Sequence, residues 1–510
     1  MCSFIEKDQW CNNATVLMTK TVAIVGSGFA SWGAAIALAG RDQVAIKIFD
    51  IGLTKAEDEK SSTPVLNAKQ YKGSFFTYGI NDTRFPINLQ SERLCSSHAF
   101  GGHSTVFSGA ILYPLDCELN DWPEESLPCA EDYSAILDKM PLLSKHDELE
   151  SIFKMTPEKS NLSWDPAGSA GFSLSGMSRI AVTDNLSSRT AETRFAPFCI
   201  CDQFEKMIST NTLRYMNECY VLQTDRIDDH VDLSYLKNST MHRESFDAVF
   251  IGAGCVNTTT IVDRSFGLSG VRHYSIRAPR STIQAFFRVP WKTSIATRIR
   301  QRNELPEIFL EVYDSKIRYP RSHTQISTVN KQIIEALGHR LPSLLRPLIR
   351  ALRRTMYFAL SAHSDGNCDM ALLSSSIDND GTGEIKQEIS ITEYATERNP
   401  DLIKSMRRAV FKHWRTLRMI PIPFGDVLAD YFRRNRLGGW HFGGSLPMRS
   451  EPTEDAECWP SGEVKGLEGV FILDSAAFPS IPSSTVALLS AAHGHRVGRS
   501  WISRLQRGED

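Results

Sequence analysis

Residues 22–33 read VAIVGSGFASWG, so an apolar run meets two glycines and then small, helix-compatible residues. The apolar run predicts a buried strand, and the residues after Gly28 predict a helix. A second apolar run, Val44 to Phe49, ends at Asp50. Strand, glycine turn, helix and acid-terminated strand together predict a dinucleotide-binding β-α-β unit. The alternative is a β-α-β unit that binds nothing.

Four positions of this unit have distinct expected roles. Gly26 and Gly28 allow a tight turn and close approach of the backbone to a pyrophosphate, which the helix N-terminus stabilises. Ser31 replaces the third glycine of the usual G-x-G-x-x-G pattern, with Gly33 two residues later, and is small enough for the helix to pack on the strand. Asp50 is expected to accept hydrogen bonds from the ribose hydroxyls of an adenosine.

The C-terminal region contains another strand that ends in an acid. Residues 469–479 read GVFILDSAAFP, which predicts a buried strand followed by Asp474 and a turn. A dinucleotide fold opened near the N-terminus and closed by a late strand and acid is typical of flavoenzymes, whereas nicotinamide domains are usually continuous. We therefore predict FAD as the cofactor, in one site built by both ends of the chain.

A strand in the middle of the chain is expected to return to the same site. Residues 246–254 form an apolar run that ends at Gly252 and Gly254, after a predicted hairpin at 220–236 that contains Val221. We expect Val221, Gly252, Gly254 and Asp474 to contact the cofactor. The alternative for residues 246–254 is a buried parallel strand that simply meets a helix.

The predicted fold class is α/β, with two domains. A discontinuous Rossmann-like FAD-binding domain is predicted from residues 20–130, 200–270 and 437–510. A substrate-binding domain of a sheet plus helices is predicted from residues 131–199 and 271–436, with strands at 308–313 and 385–391. The length of 510 residues leaves room for two or three such units.

Composition excludes some classes of protein. The formal net charge of -2 argues against nucleic acid as a partner. No apolar run is long enough for a transmembrane helix, and Glu6, Lys7 and Asp8 stand where a signal peptide needs apolar residues, so we expect a cytoplasmic protein. The basic, leucine-rich residues 338–360 predict a surface helix or, alternatively, peripheral contact with a membrane. Cys199 and Cys201, the closest cysteines, lack CxxC spacing, and we expect buried thiols.

Five segments of the chain resemble the glucose-methanol-choline (GMC) oxidoreductase family. They are residues 26–33; GGHSTVF at 101–107; DWP at 121–123 with Tyr133 beyond it; WHFGGSLPM at 440–448; and residues 474–485. The resemblance implies a two-domain flavoprotein in which Gly101, Gly102 and Ser104 belong to a flavin loop. The most similar members are bacterial proteins associated with sugar or polysaccharide chemistry.

The resemblance also implies how the flavin is held. Some sugar-oxidising members tether it through a histidine where this chain has Val106, and His103 is out of register, so non-covalent FAD is expected. Pro482, Ser484 and Thr485 are expected to begin a helix that continues through 486–492. Its N-terminus would face the flavin pyrimidine edge and stabilise the reduced, anionic flavin.

His441 is the candidate base, because neutral imidazole is accessible at physiological pH and the residues after it match the family's H-x-x-G-[TS]-x-x-M pattern. A second histidine or asparagine usually stands where this chain has Ile481, whose side chain makes no hydrogen bond. That role is vacant unless His363, Asp365 or His103 fills it, and these three are candidate substrate-binding residues.

The expected function is transfer of hydride from a CH–OH group of a sugar, glycoside or related polyol to flavin N5. The substrate would be a small molecule or glycan, and the electron acceptor is unidentified. One alternative is a flavoprotein acting on an amine or another C–H substrate. The other, favoured by Ile481, is a flavin-binding protein without alcohol turnover in a biosynthetic assembly. The sequence does not distinguish oxidase from dehydrogenase, nor does it give the oligomeric state.

Overall fold

The computed structural model describes residues 19–39, 41, 43–52, 97–106, 110–114, 118–140, 142–143, 170–174, 179–184, 195–267, 270–278, 280–288, 308–314, 321–328, 356–363, 369–379, 385–394, 420–421, 441–483 and 485–508. Five α-helices lie within these ranges. They are α1 (Phe29–Leu38), α2 (Ala130–Leu137), α3 (Cys201–Ser209), α4 (Cys255–Ser265) and α5 (Val486–Arg507).

The strands of the described residues are shared among several sheets. In chain order they are β1 (Lys20–Val25), β2 (Val44–Phe49), β3 (Ala110–Ile111), β4 (Leu142–Leu143), β5 (Ala170–Leu174), β6 (Arg179–Asp184), β7 (Phe195–Pro197), β8 (Arg214–Met216), β9 (Tyr220–Ile227), β10 (His230–Lys237), β11 (Thr240–Phe246), β12 (Ala248–Ile251), β13 (Gly270–Ala278), β14 (Arg280–Arg288), β15 (Ile308–Asp314), β16 (Arg321–Thr328), β17 (Met356–His363), β18 (Asp369–Asn379), β19 (Ile385–Tyr394), β20 (Ile420–Pro421), β21 (Glu463–Val464) and β22 (Leu467–Ile472).

One six-stranded sheet joins the two ends of the chain. Its order is β21-β22-β12-β1-β2-β8, with β1 parallel to both β12 and β2 and with β12 parallel to β22. The register pairs Val25 with Phe49 and with Ile251, so the carboxyl ends of these strands meet at one edge. The predicted strand, helix and strand at the N-terminus, and the predicted late strand, are confirmed as one α/β unit.

Close packing of α1 against α5 covers one face of this sheet. A Cβ atom on Gly33 would overlap the carbonyl oxygen of Ala491, and one on Gly494 would overlap the carbonyl oxygen of Ala30. At Gly498 an added Cβ would lie 3.1 Å from the Ala37 side chain. The two backbones therefore approach to a distance that only glycine permits. This close approach explains why position 33 is a glycine.

The remaining sheets are antiparallel. β9, β10 and β11 form a three-stranded sheet, which contains the predicted hairpin. β13, β18 and β19 form another, and the order of a second six-stranded sheet is β20-β14-β17-β16-β15-β5. The predicted strands at 308–313 and 385–391 are confirmed in β15 and β19. A parallel sheet with separate antiparallel sheets confirms the predicted fold class, and the exact domain boundaries stay predictions.

The helix predicted at 338–360 is wrong over its last residues. Residues 356–360 belong to β17, which is hydrogen-bonded to β14 on one side and to β16 on the other. Tyr357 and Phe358 favour a strand, and two neighbouring strands satisfy the backbone there. Residues 338–355 lie outside the described residues. Of the helices in the described ranges, none combines the length and the apolar character that crossing a bilayer requires.

Candidate active site

The turn after β1 has the geometry that a pyrophosphate requires. Gly26 has a φ of 91°, and an added Cβ would lie 2.5 Å from the carbonyl oxygen of Gly252. Gly28 caps α1 with a φ of -74°, and a Cβ there would come no nearer than 4.0 Å to that oxygen. α1 has no side-chain cap and no acid in its first turn, so its N–H groups are available to an anion.

Ser31 lies where the third glycine of the fingerprint would be, and it packs against the β12 turn. Its Oγ would be 2.5 Å from a Cβ on Gly252, so the small residue at each position permits the contact. Among the described residues, this buried hydroxyl has no hydrogen-bond partner. A buried donor at a glycine turn fits an oxygen-rich ligand.

Asp50 lies at the end of β2 and is almost fully buried. Its Oδ2 accepts hydrogen bonds from the hydroxyl of Ser27 and from that of Tyr215, the latter at 2.9 Å. Burial raises the pKa of Asp50, and these hydrogen bonds partly oppose the rise. Its predicted contact with an adenosine ribose stays a prediction. Tyr215 was not found from the sequence because nothing near it marks β8 as a neighbour of β2.

The loop at Gly101 and Gly102 lies directly on the glycine turn of β1. The Gly101 N–H donates to Ser27 Oγ at 2.8 Å, and a Cβ on Gly102 would lie 3.2 Å from the Gly28 Cα. Ser104 Oγ donates to the Gly101 carbonyl at 2.7 Å and stabilises the conformation of the loop. The three predicted loop residues therefore lie beside the predicted pyrophosphate turn. Gly101 makes this contact although it is 74 residues along the chain from Ser27.

Asp474 connects β22 to the turn after β12. Its carboxylate accepts hydrogen bonds from the Gly254 N–H at 2.8 Å, from the Ala476 N–H at 2.9 Å and from the Thr258 hydroxyl. Burial raises its pKa to about 6, despite these three donors. The structure thus brings Asp474, Gly252 and Gly254 together, and their contact with a cofactor stays a prediction. Val221 is buried in β9, and its contact with a cofactor stays a prediction.

His441 begins a strip, residues 441–448, whose backbone is hydrogen-bonded to the turn after Asp474. Gly444 donates to the Ser475 carbonyl at 2.8 Å, and two further backbone bonds follow, from Leu446 to Ala476 at 2.8 Å and from Met448 to Ala477 at 2.9 Å. On the other side, Gly443 exchanges two backbone hydrogen bonds with Arg277 of β13, at 2.8 and 2.9 Å. The backbone beside His441 is therefore fixed by elements from two sheets.

The imidazoles of His441 and His103 lie close enough to interact electrostatically. Burial and, to a smaller extent, the nearby His103 together lower the pKa of His441 to about 4. Burial alone lowers the pKa of His103 to about 4. Both rings are consequently neutral at pH 7. The side chain of His363, in β17, and residue Asp365 lie outside the described residues, so their predicted roles are not located.

Ile481 lies under the same strip. Only 2% of its surface is exposed, and its Cδ1 is 2.7 Å from the place a Cβ on Gly443 would occupy. The position therefore adjoins the His441 segment, as the resemblance implies, and an apolar side chain fills it. No hydrogen bond to a substrate can come from this side chain.

The predicted start of the C-terminal helix is wrong. α5 begins at Val486 with Thr485 as its N-cap, so Pro482 lies before the first turn. Residues 480–483 are instead held by Glu118, whose carboxylate accepts from the Ser483 N–H at 2.6 Å and whose carbonyl accepts from the Ser480 hydroxyl at 2.5 Å. Ser484 lies outside the described residues. Thr485 still stands at the helix N-terminus, as predicted.

Glu118 and Arg277 are site-building residues that sequence reasoning missed. Glu118 is fully buried, and Arg277 Nη1 donates to the Pro479 carbonyl at 3.1 Å, so both fix the backbone between Asp474 and α5. The Trp122 indole also donates to Ser480 at 3.0 Å. The D-W-P segment was the available signal for this region, although it does not point to Glu118.

These features fit a bound dinucleotide. An uncapped helix N-terminus, a cradle that side chains at Gly26 and Gly102 would fill, and the buried Ser31 hydroxyl lie together. Two strand-end carboxylates, Asp50 and Asp474, border the same edge of the sheet. Such an arrangement matches the pyrophosphate and the polar edges of FAD.

Comparison with known proteins gives three results. Residues 365–494 match the C-terminal domain of the family described as GMC oxidoreductase. No curated protein matches the chain. Among solved structures, pyridoxine 4-oxidase from Mesorbium loti is similar over 95% of this chain and 99% of its own, with 13% sequence identity and a TM-score of 0.48.

The family match covers the part of the chain that carries the candidate chemistry. It contains His441, Asp474 and the beginning of α5, which the structure joins to the glycine turn of β1 through one sheet. Residues 365–494 are thus similar to the C-terminal domain of GMC oxidoreductases, and the protein is an FAD-dependent oxidoreductase that acts on CH–OH groups.

Proposed function

We propose that the protein oxidises a hydroxyl-bearing carbon of a sugar, glycoside or related polyol, with non-covalently bound FAD and with His441 as the base. The observation that carries the proposal is the neutral His441 imidazole on a backbone strip fixed by the Asp474 turn. The sugar class rests on the short glycine-pair loop and on the segment from Ala362 to Asp365, which resemble those of sugar-associated members.

Each element of the site would have a separate role in binding or catalysis. The N–H groups at the start of α1 hold the pyrophosphate, and Asp50 holds the ribose. When bound, FAD supplies the hydride acceptor at N5. His441 Nδ1 or Nε2, whichever lacks a proton, accepts the hydroxyl proton of the substrate. His103 takes over the hydrogen bond that Ile481 cannot make, and it orients the substrate oxygen.

The substrate class is tested by mixing the purified protein anaerobically with sugars, glycosides, simple alcohols and amines while following the flavin absorption band. Bleaching by sugars or polyols alone is the expected result. Bleaching by amines alone would replace the proposal with amine oxidation. Release of all flavin on acid precipitation would support non-covalent binding, and flavin that stays with the precipitate would contradict it.

A second candidate function is favoured by Ile481. An apolar, buried side chain at the usual position of the second catalytic group suits a flavin-binding protein without alcohol turnover. In that case the flavin would stay oxidised with every compound of the panel. His441→Ala would then change no redox activity.

Replacing His103 tests its assignment as the second polar group. His103→Ala should slow flavin reduction by about ten- to a hundredfold, the cost of losing a hydrogen bond to the reacting oxygen. The pKa seen in the rate profile should rise above about 4 but stay well below 6.5, since His103 no longer lowers the His441 pKa while burial, the larger cause, remains. Stopped-flow reduction at several pH values measures both.

Two variants control this experiment. His103→Asn keeps a hydrogen-bonding side chain and should recover part of the rate, whereas a purely structural role would not distinguish Asn from Ala. His242→Ala changes an exposed histidine of β11 and should leave the rate unchanged. A wild-type rate and an unmoved profile in His103→Ala would remove His103 from the site.

The pH dependence of reduction follows from the lowered pKa of His441. A base must be unprotonated, and burial keeps this imidazole neutral down to a pH of about 4. We expect the reduction rate to stay level from pH 8 to about pH 5 and to fall only as the pH approaches 4. Circular dichroism at each pH checks that the protein remains folded. An inflection near pH 6.5 would mean that a solvated histidine, rather than His441 in this environment, is the base.

A further inference from the structure

Two cysteines lie against the loop of Gly101 and Gly102. The Cys199 thiol donates a hydrogen bond to Cys201 Sγ, so the two sulfurs are in contact. The Cys201 thiol donates to the Phe100 carbonyl at 3.1 Å, and a Cβ on Gly101 would overlap its sulfur. The pair precedes and begins α3, and both side chains are half-buried. The two sulfurs are therefore adjacent, in residues that are partly exposed.

The two thiols differ in acidity in the way that a reactive pair requires. Once Cys199 has lost its proton, the Cys201 thiol can donate to the Cys199 sulfur instead of to Phe100. This hydrogen bond lowers the pKa of Cys199 to about 7, so a large fraction is thiolate at neutral pH. The same hydrogen bond and burial raise the pKa of Cys201. By contrast, burial raises the pKa of Cys219 to about 11 and that of Cys255 to about 12. Cys199 is the nucleophile, and Cys201 is its resolving partner.

We propose that Cys199 and Cys201 form a redox site, which a hydroperoxide oxidises to a disulfide and which an external thiol reduces again. The Cys199 thiolate attacks one peroxide oxygen, the O–O bond breaks, and water or an alcohol leaves with a proton. Cys199 is then a sulfenic acid. The Cys201 sulfur attacks the Cys199 sulfur, the S–O bond breaks, and the hydroxide leaves as water with the Cys201 proton.

A disulfide bond needs the sulfurs at about 2.05 Å, and the two sulfurs are already in contact. Both cysteines stand two positions apart, a spacing that differs from CxxC and makes a small ring. Such a ring is easily reduced, as expected for a reversible site rather than a structural cross-link.

Oxidation should reach the cofactor turn through a chain of hydrogen bonds. The disulfide removes the Cys201 donor from the Phe100 carbonyl, next to Gly101. The Gly101 N–H in turn donates to Ser27, whose hydroxyl donates to Asp50. This consequence rests on the proposed FAD site. We expect oxidation to weaken FAD binding by about tenfold, the effect of one lost hydrogen bond.

The site can be tested by counting thiols. The reduced holoprotein is treated with hydrogen peroxide, alkylated and digested with trypsin, which releases both cysteines in one peptide between Arg194 and Lys206. Oxidised wild type should yield this peptide unalkylated and lighter by two hydrogen atoms than its reduced form, and dithiothreitol should restore alkylation. Alkylation of both cysteines after peroxide treatment would overturn the proposal, as would oxidation of Cys199 to a sulfinic acid without a disulfide.

Two variants sharpen the result. Cys201→Ser should form no disulfide and should leave a Cys199 sulfenic acid that dimedone traps. Serine can still donate to the Phe100 carbonyl, so the loop contact is kept. Cys129→Ser removes the exposed thiol of the described cysteines and should leave disulfide formation as in the wild type. A disulfide that depends on Cys129 would overturn the assignment of the pair.

The link to the cofactor has its own readout. Apoprotein, reduced or oxidised, is titrated with FAD, and the oxidised wild type should bind about tenfold more weakly while Cys201→Ser shows no change with peroxide. Equal affinities of the two wild-type forms, with the disulfide present, would overturn the link to the loop. Failure of both forms to bind FAD would overturn the proposed function, while the thiol count would still decide the redox site.

Discussion

His441→Ala should abolish reduction of the bound flavin by substrate while leaving FAD bound. The loss should be about 10² to 10⁴-fold in the reduction rate, the usual contribution of a positioned general base. His441 begins the strip that pairs with Ser475 and Arg277 through backbone atoms, so shortening its side chain leaves those bonds in place. Anaerobic stopped-flow absorbance measures the rate, and the ratio of flavin to protein absorbance measures occupancy.

His230→Ala is the matched control, because His230 is an exposed histidine at the start of β10. It should reduce flavin at the wild-type rate. If His441→Ala retains the wild-type rate as well, His441 is not the base. A variant that loses FAD altogether would mean that His441 holds the cofactor rather than the proton.

Gly33→Ala should destabilise the protein far more than Gly28→Ala. A Cβ at Gly33 would overlap the carbonyl oxygen of Ala491. Because a backbone atom cannot relieve the overlap by changing rotamer, α1 and α5 must separate. We expect a loss on the order of 3 kcal/mol in the free energy of unfolding, at the upper end of overpacking effects. Urea denaturation of the apoprotein measures it.

Gly28→Ala is the companion variant. Among the described residues, no atom would lie closer than 4.0 Å to a Cβ at Gly28, and the φ of -74° suits alanine. The apoprotein should therefore unfold at nearly the wild-type urea concentration, whereas FAD should bind at least about tenfold more weakly because the methyl group stands where the pyrophosphate approaches. Equal stability losses in the two variants would contradict the separate roles of the two glycines.

The predictable parts of the fold are those that depend on local sequence patterns. The apolar runs at β1, β2 and β22 give their strand character without reference to distant residues, and the glycines at 26 and 28 mark the turn. The meeting of both chain ends followed from Asp474 at the end of a late strand, because that order of elements is common in flavoenzymes. His441 could be proposed only through its neighbours Gly444 and Met448.

The parts that were missed depend on contacts between distant residues. Glu118 accepts a hydrogen bond from Ser483, which lies 365 residues later in the sequence, and no local pattern around either residue predicts this contact. The same contact explains the wrong helix start, because proline favours a first helical turn locally while Glu118 holds the Ser483 N–H in another conformation. Gly33 lies two residues after the fingerprint position, and its close approach to Ala491 becomes visible only with α5 in place.

The central sheet places β1 beside β12 and, one strand further, β22. During translation β1 emerges more than two hundred residues before its parallel neighbour β12, and β22 follows more than two hundred residues after β12. Pairing over such separations carries a large loop-closure entropy and slows folding. The nascent chain must therefore keep β1 from aggregating until β22 has been synthesised, and FAD can be captured only after the ribosome has released this strand of its site.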